Sequence, residues 1–162
     1  MRTECLVVEI IDHQTQIALS DDSLRLLCQA AESIWPLLEP YQCEVHHLYD
    51  LHLLEVAFVS SAESDRIHRE FMNVPGETDV ITFLHGELII CPWVAKQQAE
   101  EHGEPLLREL LRYIIHGMLH LAGHQDDQEN LRIAMEQAQE ELVAWAWKQG
   151  DFGAESTENR QK

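Results

Sequence analysis

The chain has 162 residues, 45% of them apolar and 25% charged, the make-up of an ordinary globular domain able to bury a core. Its 29 acidic side chains against 11 basic ones give a formal net charge of −18, so the molecule as a whole repels nucleic acid, anionic membranes and acidic substrates. No window approaches about 18 consecutive apolar residues, which excludes a helical membrane span, and any polyanionic partner must meet a local basic or metal-bearing patch.

The elements follow in chain order. Cys5–Ile11 is an apolar run of strand type. Ser20, Asp21 and Asp22 offer N-caps for a helix with Leu24, Leu27, Ala31 and Ile34 at apolar spacing, ending near Pro36. Leu53–Ser60 has the pattern of a central strand, and the stretch from Ser60 to Asn73 opens with capping serines and reads as a short helix. Thr78–Phe83 and Gly86–Cys91 read as two strands around a tight turn at His85-Gly86. Pro92 suits the first turn of a helix. A further helix runs from Glu104-Pro105 to Ala122, with apolar residues on nearly every side, which predicts burial. From Asp127 to Gln149, Leu131, Ala134, Met135, Ala138, Leu142 and Trp145 keep helical spacing. The stretch 151–162 reads as a disordered polar tail. Strands come early and helices late, which predicts one α+β domain over residues 1–150, a small mixed sheet packed with helices. Cys5, Cys28, Cys43 and Cys91 are scattered without a CxxC pair, and the N-terminus has no leader pattern, so reduced thiols in a cytoplasmic protein are expected.

The stretch HGMLHLAGHQDD, His116 to Asp127, carries the chemistry. On a helix His116 and His120 stand about 40° apart around the axis and about 6 Å apart along it, so both imidazoles can reach one metal ion. Two residues compete for the third position. His124 on an unbroken helix would lie about 12 Å from His116, too far to share an ion. Gly123 is a natural helix-ending residue, and a chain turned by it can fold Asp126 back toward the pair, in the manner of zincin-like sites. Asp126 is therefore favoured over His124, although Asp126 or Asp127 could instead cap the following helix. The residue after the first histidine is Gly117, where a peptidase of the His-Glu-x-x-His type would carry its general base.

HGMLHLAGHQD, TDVITF (Thr78–Phe83), GELIIC (Gly86–Cys91) and SDRIHREFMN (Ser64–Asn73) together resemble the YbeY family of bacterial endoribonucleases and ribosomal RNA maturation factors. The likeness covers about Leu53 to Trp147. The family signature, roughly HGxLHLxGYDH, has its third histidine replaced by Asp126, its tyrosine by His124 and its aspartate by Gln125. The family's RNA-binding helix arginine falls on Met72, with Arg69 one turn earlier as a substitute. The segment Pro40–Leu54 resembles the family poorly.

The resemblance implies a metal-dependent endoribonuclease that hydrolyses phosphodiesters in small-subunit 16S ribosomal RNA maturation and ribosome quality control. One divalent ion, zinc by family usage, would be held by His116, His120 and Asp126, although two histidines and a carboxylate also suit Fe(II). His124 would carry protons or stand as a surface histidine, and Arg69 would contact phosphate or only solvate the surface. Thr78 and Asp79 shape the start of their strand. The partners implied are ribosomal RNA and the small subunit, with no membrane and no DNA. Two other readings stay open: a non-catalytic ribosome-associated metal-binding module, and a metal-dependent hydrolase of another substrate.

Overall fold

The computed structural model describes residues 5–48 and 51–152. Four strands form one mixed sheet: β1 (Val7–Asp12), β2 (Leu53–Phe58), β3 (Val80–Phe83) and β4 (Glu87–Ile90). They lie in the order β1-β2-β4-β3, with β1, β2 and β4 parallel and β3 antiparallel on the outer edge. β2 is paired on both sides, the place its apolar run predicts. The β3–β4 turn contains Gly86 at φ +106°, and a Cβ there would stand 2.3 Å from Leu51 Cδ1. Asp79 sets the start of β3: its Oδ1 accepts from the Val80 N–H at 2.7 Å, and its carbonyl accepts from the Cys91 N–H at 3.2 Å.

Five helices complete the domain: α1 (Asp21–Ile34), α2 (Ser61–Met72), α3 (Pro92–His102), α4 (Leu106–Leu121) and α5 (Glu129–Gln149). Strand alternation sends Val8, Leu54, Val56, Phe58, Leu88 and Ile90 to one face, against α1 and α4. Ile81 and Ile89 point to the other face and meet Ile67 of α2. α4 is buried along its length, from Leu107 to Leu121, as its all-round apolar surface predicts. Each such leucine or isoleucine contributes about 1.5–3 kcal/mol through burial.

A half-buried charge cluster fixes the rotation of α5 on α4. Arg112 bonds Glu104 at 2.8 Å, the buried Glu109, and Glu140 of α5 at 2.7 Å. Its guanidinium holds the Glu104 carboxyl below the usual carboxylate range.

Two features mark the C-terminal end. α5 starts at Glu129 with Gln128 as its N-cap, and no side chain caps it, so Asp126 and Asp127 are both free of that duty. Packing reaches two residues past the expected end of the domain at 150. Phe152 is 1% exposed and its ring stacks on Trp147 at 4.4 Å. The rest of the expected tail, residues 153–162, lies outside the described residues.

Candidate metal centre

The site forms where α4 runs out. Gly123, at φ +99°, adopts the left-handed conformation that ends helices. Its N–H bonds the His120 carbonyl at 3.0 Å and the His124 N–H bonds the Leu119 carbonyl at 3.0 Å, a Schellman turn. The segment 43–47 closes over the same end. The Cys43 N–H donates to the Ala122 carbonyl and the His47 N–H to the Leu121 carbonyl, each at 2.8 Å, satisfying the last carbonyls of α4. A Cβ at position 123 would lie 2.2 Å from the Val45 carbonyl oxygen, so only glycine fits beneath this segment.

The turn swings Asp126 back toward the helix. His116 Nε2 and His120 Nε2 are 3.1 Å apart, and Asp126 Oδ2 is 3.8 Å from the first and 3.6 Å from the second. Ligand atoms at about 2.0–2.1 Å from one tetrahedral ion stand about 3.4 Å apart. The observed spacings bracket that value.

Outer partners set the tautomers. His120 Nδ1 faces the His124 backbone carbonyl at 3.0 Å, which can only accept, so Nδ1 carries the proton. His116 Nδ1 likewise donates to Gln139 Oε1 at 2.8 Å. In the neutral rings both Nε2 atoms then present bare lone pairs to each other, an arrangement that a cation between them relieves. Burial, and after it the nearby His116 ring, hold His120 below the usual histidine range, against the opposing pull of the His124 carbonyl and Asp126. A neutral imidazole is the form that binds metal. Two neutral nitrogens, one carboxylate and a side open to the cleft make a donor set that fits one divalent ion.

That open side is a cleft of about 650 Å³. One wall is the segment Cys43, Glu44, Val45 and His47, and the opposite wall is the free edge of β3 with Leu84 beyond it. Met72, at the end of α2, closes the rim. Among the described residues neither lysine nor arginine lines it.

His116, His120 and Asp126 are thus brought together, and they are the cluster of metal-ligating type found among the described residues. The two residues expected in catalytic roles are turned onto other partners. His124 reaches the cleft, but its Nε2 is 2.7 Å from the Tyr41 carbonyl and donates to it, so proton transfer would require the ring to leave that bond. Arg69 Nε donates to Asp65 at 2.9 Å, one turn back on α2, and Arg69 is not among the cleft-lining residues.

Sequence reasoning missed Gln139 and the 43–47 wall. Gln139 had a faint signal: it is a buried polar residue four positions after Met135, on the stripe that α5 packs inward. The wall had none, because it acts through backbone groups.

A family model described as Endoribonuclease YbeY matches residues 10–146. The chain belongs to the YbeY family. Membership places it among the nuclease hydrolases. The curated endoribonuclease YbeY of Thermotoga petrophila is 32% identical over 117 residues, covering 68% of this chain and 76% of that protein. The YbeY of Elusimicrobium minutum is 36% identical over 95 residues, covering 51% of this chain and 66% of its own length. The fold also resembles the solution structure of a Thermotoga maritima protein, with a TM-score of 0.62, 25% identity, and coverage of 87% of this chain and 89% of that one. Among the described residues no helix is long and apolar enough to cross a membrane.

Proposed function

We propose that this YbeY member is a metal-dependent endoribonuclease acting on small-subunit ribosomal RNA in the cytoplasm, in its maturation and in ribosome quality control. The observation that carries the reading is the pair of facing Nε2 atoms with Asp126 beside them, open to a cleft. His116, His120 and Asp126 would hold one divalent ion, with zinc the first choice. Such an ion supplies a Lewis acid for phosphoryl oxygens and lowers the pKa of a nucleophilic water. It also provides locally the positive charge that a chain of −18 lacks.

The protein's own groups do the rest. Gln139 and the His124 carbonyl keep both rings in the ligand tautomer and aim them at one point. Asp126 brings a negative charge where a histidine brings none, which lowers the Lewis acidity at the cleft and favours activity at alkaline pH. Gly117 leaves no side chain at the position of a peptidase base, which weighs against peptide hydrolysis.

The test is cleavage of a small-subunit ribosomal RNA fragment before and after chelation. Chelator should abolish cleavage and added zinc should restore it. Cleavage that persists without metal contradicts the metal reading. Ribosome binding without cleavage under any metal replaces the enzyme with the binding-module reading.

A further inference from the structure

The cleft of this nuclease has an unusual rim. Val45 is 76% exposed, Leu84 51% and Met72 49%, and all three line it. Phe71 and Val74 flank Met72 in sequence and are 58% and 46% exposed. Of the eleven exposed large apolar side chains among the described residues, three line the cleft and two more stand within two residues of Met72. The Phe71 ring meets Phe83 edge-on at 5.3 Å, and Phe83 stacks on the exposed ring of His85 at 5.9 Å. The strip Phe71–Phe83–His85 lies on the sheet face that meets α2 and joins the cleft through Met72 and Leu84, the sequence neighbours of Phe71 and His85, which line it.

Charge is arranged the opposite way. The two arginines of α2 are already held by carboxylates, Arg66 by Glu63 and Glu70 and Arg69 by Asp65. Among the described residues Glu44 and Asp126 line the cleft and no lysine or arginine does. Most nucleic-acid sites gain affinity by neutralising phosphates. This one has almost nothing to neutralise them with besides a bound metal ion. It does have what unpaired bases stack on, namely exposed aromatic faces and apolar rim.

Resting on the endoribonuclease reading, we propose that the RNA strand is gripped through its bases, stacked on Phe71 and His85 and laid against Met72, Val45 and Leu84, and not through its phosphates. Phe71, 58% exposed, is the main stacking residue of the strip.

The experiment measures binding of the metal-loaded protein to an uncleavable 2′-O-methyl oligonucleotide by fluorescence anisotropy across a salt series. Each phosphate neutralised on a single strand contributes about −0.7 to the slope of log K against log salt. A base-led grip on an acidic protein predicts a slope flatter than about −1, level or rising with salt; a slope of −1 or steeper overturns the proposal. Phe71→Ala should weaken binding about fivefold or more. An oligonucleotide with abasic spacers should lose as much against the unaltered protein, which removes any question of misfolding. Arg69→Ala should leave affinity within twofold. If Phe71→Ala and the abasic strand both bind as well as the parents, the proposal fails and the rim belongs to an apolar protein partner. Parallel cleavage of unmodified RNA keeps the two readings apart: cleavage with a steep salt slope sinks only the base-led grip, whereas absence of any cleavage sinks the enzyme reading.

Discussion

Gln139 Oε1 accepts a hydrogen bond from His116 Nδ1 at 2.8 Å, and the neighbouring Glu140 takes an Arg112 Nε–H at 2.7 Å, one turn earlier on α4. The two contacts lock α5 to α4 in the rotation that points His116 Nε2 at the metal position. Loss of a ligand's outer partner costs about 10–100-fold in metal affinity. Gln139→Ala should therefore weaken zinc binding by that factor in a competitive chelator titration, with the far-ultraviolet circular dichroism unchanged. Unaltered affinity would show that His116 needs no such support.

Gly117 is a packing requirement. A Cβ there would stand 2.5 Å from Leu88 Cδ2 and 2.7 Å from its Cδ1, and Leu88 is fully buried. Overpacking of this kind costs about 1–3 kcal/mol. Gly117→Ala should lose that much in urea unfolding, and Leu88→Ala added to it should recover less than additively. An unchanged midpoint for the single variant would mean that α4 can lift from the sheet freely.

His120 sets a pH dependence. Its folded pKa lies below the ordinary 6.5, so the folded state binds fewer protons than the unfolded state as the pH drops below that value. The stability contributed by the neutral ring is present above 6.5 and is lost as the pH falls through the folded-state value. Metal-stripped protein should show a falling melting temperature across that acid window, and His120→Gln should flatten it. A melting temperature that rises on acidification would reverse the sign and contradict the burial argument.

Much of this was legible in the sequence. The four strands, the buried α4 and the order of elements follow from apolar spacing, caps and glycine turns. His116 and His120 follow from helix geometry, and Asp126 from the turn at Gly123. Three things were not. The wall at 43–47 acts through backbone N–H groups, which side-chain patterns do not encode. Phe71 and Leu84 read as parts of a helix end and of the turn after a strand, and only the fold places Leu84 and Val45 on one rim with Met72, the position singled out by the family resemblance. Phe152 follows a glycine and an aspartate in a polar context, so nothing local signalled that its ring returns to stack on Trp147.

The third ligand decides the metal centre. His116 and His120 face Asp126 at 3.8 and 3.6 Å, while His124 Nε2 is held by the Tyr41 carbonyl at 2.7 Å. The decisive measurement is metal content, by mass spectrometry of the purified protein and of His116→Ala, Asp126→Ala and His124→Ala. The parent protein should carry one divalent ion per chain, His116→Ala and Asp126→Ala should carry little, and His124→Ala should keep most of it. Retention in Asp126→Ala with loss in His124→Ala would overturn the ligand assignment, and a metal-free parent that binds no added ion would overturn the metal centre itself.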